Sequence, residues 1–314
     1  MSITILFAQL IKLFALMCLG YLLYKTDIID DHTRAHLTKL VLYVTTPALI
    51  IHSFAESTGN VDKLMLGRLF LIVFAIYAAQ GILSLFIVFA LRVKIIQRGM
   101  YMFMTIFSNV GFMGFPVVEA IYGTEGVFYT AIFNCIFNIL LFTAGVLLVN
   151  YGQNNNDVRM SEMLSLRKIL NPGFLGCFVA VIIFLLSIPV HPIVNELLDS
   201  VGGLTSCLAM LLVGSSLATM NIREIFDDIR VYLYTIIKQI ALPLILWLPF
   251  KMIIEDTVFL NVCLIMVSMP VANSAVLFAT EYKRDEKLAG KAIFITTVAS
   301  VLTIPLVAAI CAGR

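Results

Sequence analysis

Charge is scarce in this chain: only 13% of its 314 residues are Asp, Glu, Lys or Arg, where a soluble domain carries about a quarter. No basic run exceeds two residues and the formal net charge is +2, so the charge balance does not point to nucleic acid. The six cysteines (Cys18, Cys135, Cys177, Cys207, Cys263 and Cys311) lie in apolar segments without a CxxC pair. They read as small hydrophobic residues, because disulfide and metal frameworks need recurrent spacing. The chain has no nucleotide-binding loop, serine elbow or zinc motif, which leaves an ATP-driven pump or a membrane hydrolase without support. No cofactor and no metal are expected. The N-terminus lacks a basic n-region and a small-residue cleavage site, so it is expected to be a first span and not a removable signal peptide.

Apolar residues are abundant, at 61% of the chain, and the mean hydropathy is +1.01. A soluble domain of this length could not bury that much apolar surface, so the composition implies an all-α integral membrane protein. A helix crosses the hydrocarbon in about 20 residues. By that measure ten spans are expected, at 3–24, 36–54, 66–91, 100–121, 126–149, 170–190, 201–220, 231–250, 258–280 and 288–311. The loops after the odd-numbered spans, with the helix ends that border them, hold 15 of the 21 Lys and Arg, and the opposite side holds four. This bias places the odd loops in the cytoplasm and both termini on the extracytoplasmic side of the cell (inner) membrane.

Five spans followed by five make each half start on opposite sides of the membrane, as in the inverted repeats of secondary transporters. The expected division is a first repeat at 1–150, a cytoplasmic linker at 151–168 and a second repeat at 169–314. The tripeptide AIF recurs at an offset of 161 residues (Ala131–Phe133 and Ala292–Phe294), and that offset lays Asn109 over Pro270.

Span 4 contains SNVGFMGFPVVEAIYG (Ser108 to Gly123), with asparagine, glycines and a proline in an apolar run. Proline costs about 3 kcal/mol in a helix interior and glycine about 1. SMPVANSA (Ser268 to Ala275) disrupts span 9 at the corresponding place. Non-helical backbone at membrane depth is tolerated only where protein or a wet cavity satisfies it, so the paired breaks point to a binding site, with packing kinks as the alternative. Half-helix N-termini attract anions. Asn109, Asn273 and Ser274 can donate to an anion or cap freed backbone. Gly111 and Gly114 can admit a second backbone. Pro116 suits a first helical turn, and Pro270 marks the break in span 9.

Lys238 lies inside span 8, where a lysine is costly and by default functional, unless its stem snorkels to the interface. Glu119 sits a turn past Pro116, either as a proton carrier or as an interfacial carboxylate. Lys238 and Glu119 are the candidates for proton coupling. Asn134 and Asn138 share a face of span 5, to line the site or to bond between helices. His52 is expected at the membrane interface. His32 and His36 have ligand-like spacing but fall in a polar turn, and no metal site is assigned to them.

NVGFMGFPVVEAIYG resembles the span-4 signature of the auxin efflux carrier (PIN-like) family at Asn109, Met113, Gly114, Pro116, Tyr122 and Gly123. YVTTPALIIHSF, with Pro47, and SMPVANSAVLFA are similar to bacterial-type members, and the resemblance covers essentially the whole chain. It implies ten spans in two inverted repeats, with broken helices 4 and 9 crossing at mid-membrane. It also implies a dimerising scaffold of spans 1, 2, 6 and 7 and a moving transport domain of spans 3–5 and 8–10. The chain departs from plant members in lacking a long central loop, in having Glu119 for a lysine and in having Asn273 for a small apolar residue. These departures argue against auxin itself as substrate.

The expectation is a secondary carrier of a small organic anion, a mono- or dicarboxylate, working by elevator-type alternating access as a homodimer in the lipid bilayer. Two alternatives stay open: a sodium-coupled symporter of the bile-acid type, and a membrane ligand sensor that does not transport. The first needs oxygen ligands for sodium, and the second normally carries a signalling domain.

Overall fold

Aspartates placed one residue before the first helical position start several of the helices. Asp30 accepts a hydrogen bond from Thr33 N at 2.7 Å, Asp256 from Phe259 N at 2.9 Å, and Asp285 from Leu288 N at 2.9 Å. Each satisfies a backbone donor that the first turn leaves unpaired. The computed structural model describes residues 3–57, 63–152, 172–220 and 228–312. The expected linker, from residue 153 onward, lies outside the described residues.

The helices are α1 (Ile3–Lys25), α2 (Asp31–Leu40), α3 (Thr46–Ser57), α4 (Lys63–Ala90), α5 (Ile95–Ile106), α6 (Phe115–Leu141), α7 (Ala144–Asn150) and α8 (Pro172–Leu185). They continue with α9 (Pro192–Gly202), α10 (Leu204–Ala218), α11 (Ile229–Ile236), α12 (Leu242–Lys251), α13 (Thr257–Ser268), α14 (Ser274–Glu281) and α15 (Glu286–Ala312). No strand occurs among the described residues. Seven helical stretches are long and apolar enough to cross a membrane, and Phe174–Leu185 and Thr257–Ser268 are shorter apolar helices. Large apolar side chains such as Ile11, Leu71, Phe86 and Leu302 point outward, as lipid-facing residues do. The chain is a multi-pass membrane protein.

Among the described residues, three π-helical turns interrupt the helices, at Val41–Thr45, Val110–Gly114 and Ile237–Ala241. Each is followed by one residue and then a proline: Pro47, Pro116 and Pro243. Proline has no N–H to donate and its ring presses on the carbonyl four residues back. Widening the turn before it relieves that clash, and the N–H groups of Thr46 and Leu242 bond the carbonyls of Val41 and Ile237, five residues back. Gly123 turns the chain inside α6 with φ of 62°, a value that favours glycine. Gly123 to Glu125 are exposed, at the place where the sequence separates spans 4 and 5.

The described residues form two compact units, one drawn from 1–73, 110–136 and 170–219 and the other from 74–109, 137–169 and 220–314. In the first unit α1 packs on α10 and α3 packs on α8 and α9. The α1–α10 approach is close enough that a Cβ on Gly214 would stand 1.8 Å from Met17 O, and one on Gly20 would stand 2.2 Å from Leu211 O. Small residues at such seams let backbones meet in a membrane, where water exclusion gives no drive for helices to associate. Phe54, Phe128 and Phe184 form an aromatic cluster, with ring centroids 4.6 to 6.1 Å apart. In the second unit α5 packs on α7 and α14, and α15 packs on α11 and α13. Phe278 is its aromatic hub, with ring centroids 5.1 Å from Phe103, 5.8 Å from Phe142 and 5.9 Å from Tyr282, and Phe107 joins it through Phe103 at 4.7 Å.

Candidate functional site

Two helices of the second unit, α5 and α13, stop and their unwound ends meet. The α13 helix ends at Ser268 because Met269 precedes Pro270 and is pushed to an extended conformation, with ψ of 149°. After α5, Phe107 also leaves helical geometry, with ψ of 88°. The two unwound strands run antiparallel and bridge at Ser108 and Val271. Asn109 N donates to Pro270 O at 2.8 Å, and Ala272 N donates to Phe107 O at 3.1 Å. Val271 N donates to Thr296 Oγ1 of α15 at 3.1 Å. Each break thus supplies bonds that the other has lost, as backbone at membrane depth requires.

Lys238 lies in the π-turn between α11 and α12 and is fully buried, at 0% exposure. Its ammonium donates to Met269 O at 2.8 Å, Ser108 Oγ at 2.9 Å and Val267 O at 3.5 Å. No ion pair forms with it among the described residues. The cation therefore sits where α13 ends and α5 has just ended, and the negative ends of helix dipoles stabilise a positive charge there. It does not snorkel. Gln239 beside it donates to Thr296 O at 2.8 Å, while its Oε1 is buried without a partner among the described residues.

The α14 helix starts again at the far side of the break without a cap. Asn273 stands at the N-cap position, but its side chain makes no capping hydrogen bond. Ser274 Oγ is buried and has no partner among the described residues. The first turn of a helix leaves backbone N–H groups short of intrahelical partners; here Ala275 N returns to Ala272 O at 2.9 Å, and the uncommitted Asn273 and Ser274 side chains stand beside it. The second unit thus brings Asn109, Pro270 and Lys238 together around the break, with Asn273 and Ser274 following it. Asn138 lies buried on α6 in the same unit.

The other sequence candidates fall in the first unit. Gly114 and Pro116 are buried, at the end of the π-turn and in the first turn of α6. A Cβ on Gly111 would meet nothing within 4 Å, so the close backbone approach expected there is not found. Asn134 donates to Cys177 Sγ at 3.7 Å, tying α6 to α8. Glu119 accepts a hydrogen bond from Ser206 Oγ of α10. His52 is 7% exposed: its Nδ1 lies 2.9 Å from Asn195 Oδ1, and Asn195 in turn donates to Glu56 at 2.8 Å. The α9 helix packs on α3 and covers the ring. The His36 ring lies 2.9 Å from the His32 carbonyl oxygen through Nδ1.

Sequence reasoning missed Ser108, Thr296 and Gln239. Lone polar residues in apolar helices have no periodic signature, and only the Lys–Gln pair at 238–239 hinted at a polar seam.

Comparison with known proteins agrees with this architecture. The model of a family described as "Membrane transport protein" matches residues 5–308. The chain is 24% identical to an uncharacterised transporter of Methanocaldococcus jannaschii over 93% of this chain and 94% of the relative. It is 25% identical to one of Methanothermobacter thermautotrophicus, over 94% and 95%. A Rhizobium meliloti protein named "Putative malonate transporter" is 22% identical over 93% of this chain and 91% of its own length. With a match along nearly its whole length, the chain belongs to the membrane transport protein family, that of the auxin efflux (PIN-like) carriers.

Proposed function

We propose that this protein is a secondary carrier of a small organic anion, a mono- or dicarboxylate, and that the anion binds at the start of α14. One observation carries the proposal: the uncapped N-terminus of α14, where Asn273 and Ser274 have uncommitted polar atoms directly after a helix break. A carboxylate there meets free N–H donors and the positive end of the helix dipole. Lys238 contributes positive charge close by. It holds the break in shape through Met269 and Ser108, and its longest bond, to Val267 O at 3.5 Å, is the one that a substrate oxygen can replace at least cost.

The proposal extends to ten spans in two inverted repeats, with broken spans 4 and 9 crossing at mid-membrane. Spans 1, 2, 6 and 7 act as a dimerising scaffold, and spans 3–5 and 8–10 act as the moving part of an elevator. Lys238 and Glu119 are its candidate proton carriers, and both termini face outward from the cell membrane. The relative named for malonate supports a short dicarboxylate as the first ligand to test.

The test is a thermal-shift screen of the purified protein against malonate, succinate, acetate and lactate, with and without sodium, followed by uptake into proteoliposomes. A sodium-independent shift with a carboxylate, and uptake of the same compound, is expected. No shift and no uptake with any carboxylate overturns the proposal. A shift that requires sodium transfers support to the sodium-coupled alternative.

A further inference from the structure

Away from the break, the water-facing end of the second unit holds a cavity of about 190 Å³ between the start of α5, the end of α7 and the α14–α15 turn. Gln97, Met100, Lys283, Arg284 and Asp285 line it. A left-handed residue closes α14. Lys283 has φ of 52°, and Arg284 N returns to Ala279 O at 2.6 Å. Glycine normally fills this position because it bears no Cβ. Here the position carries a lysine, at a conformational cost, and the turn aims Arg284 inward. The Arg284 guanidinium donates to Asn150 Oδ1, but its Nε is buried and lacks a partner among the described residues.

The neighbouring carboxylate is already committed. The oxygens of Asp285 accept from Gln97 Nε2 and Leu288 N, each at 2.9 Å. Lys283 is exposed, with no side-chain hydrogen bond or ion pair among the described residues. Next to the cavity, Ile95 and Ile96 are 63% and 60% exposed, and Arg98 stacks on Phe89 at 4.8 Å. The Arg284 guanidinium on the cavity wall, a free ammonium beside it and an apolar rim make a site for a tetrahedral oxyanion next to a bilayer. Basic clusters at helix ends recognise lipid phosphates through the same chemistry.

We propose that this cavity binds a phosphate group, carried either by an anionic phospholipid headgroup or by a free phosphate. The occupant bridges the N-terminal end of α5 and the C-terminal end of α14. The other ends of these two helices are the broken ones, so the bound phosphate sets the spacing on which the breaks depend.

The test uses the full-length protein in nanodiscs of phosphatidylcholine alone or mixed with phosphatidylglycerol. Thermal unfolding and lipid retention in native mass spectrometry are the readouts. Phosphatidylglycerol should stabilise the wild type and be retained. Arg284→Gln and Lys283→Gly should each lose retention roughly tenfold, the equivalent of one charged hydrogen bond. The glycine variant favours the left-handed turn, so its loss cannot be ascribed to misfolding. Lys39→Gln, at an exposed cation elsewhere, should change nothing. Inorganic phosphate added to phosphatidylcholine discs separates the two sources: stabilisation by phosphate, with displacement of the lipid, identifies a free phosphate. Stabilisation by phosphatidylglycerol alone identifies a headgroup. The proposal fails if neither ligand stabilises the wild type, or if Lys39→Gln loses as much as Arg284→Gln.

Discussion

Removing Ser108 should harm this protein at least as much as removing Lys238, although the lysine is the larger and costlier residue. Ser108→Ala leaves a buried ammonium without an acceptor that stood at 2.9 Å. A hydrogen bond to a charged group is worth about 1.5–3 kcal/mol, and the full burial of Lys238 keeps bulk solvent from replacing it. Lys238→Met instead leaves neutral acceptors behind, chiefly Met269 O, at about 1–3 kcal/mol for the orphaned carbonyl. It also releases the several kcal/mol of desolvation that a buried cation carries. The lysine variant should therefore unfold within about 1 kcal/mol of the wild type, by the offset between these two terms. In that background Ser108→Ala should cost almost nothing. The double-mutant cycle is expected to show a coupling of about 1.5–3 kcal/mol, measured by reversible denaturant unfolding in detergent micelles. Additivity within about 0.5 kcal/mol would refute the view that the lysine holds the break through Ser108.

Ser274→Ala removes a buried hydroxyl that has no partner among the described residues, so it should leave the ligand-free protein as stable or more so while weakening carboxylate binding about tenfold. Unchanged affinity by calorimetry in both Ser274→Ala and Asn273→Ala would move the site away from α14. In a background without reactive native cysteines, Lys94→Cys should resist an impermeant thiol reagent in intact cells, and Met252→Cys, at a position 89% exposed, should react. The reverse pattern inverts the topology. Gly214→Ala forces a Cβ to within 1.8 Å of Met17 O and should cost about 1–3 kcal/mol. Gly67→Ala meets nothing within 4 Å and should gain up to about 1 kcal/mol. Equal melting temperatures for these two variants would contradict the α1–α10 packing.

Much of the membrane character was legible because twenty apolar residues in a row admit few other fates. The breaks were legible for a related reason: proline and glycine act on the backbone locally, and Pro270 unwinds the residue before it whatever surrounds it. The two breaks themselves meet, since the backbones of Asn109 and Pro270 are hydrogen-bonded. The partners of Lys238 were not legible. Two of its three acceptors are main-chain carbonyls, which every residue possesses and no sequence advertises. The partners of His52 were not legible either, because whether another helix covers a helix end is set by tertiary packing, and here α9 does.

The prolines that follow the three π-turns have a bearing on how the length of this chain can change. In a regular span, deleting one residue rotates everything beyond it by about 100° and turns lipid-facing side chains inward. A π-turn already carries one residue more than the regular register needs. A deletion at Val41–Thr45 can therefore be absorbed, with α2 and α3 kept in phase, provided that Pro47 is replaced in the same step. At Ile237–Ala241 the same event displaces Lys238 and dismantles the break that it holds. The first turn is thus a place where the chain can shorten freely, and the last is a place where its length is fixed by the charge it carries.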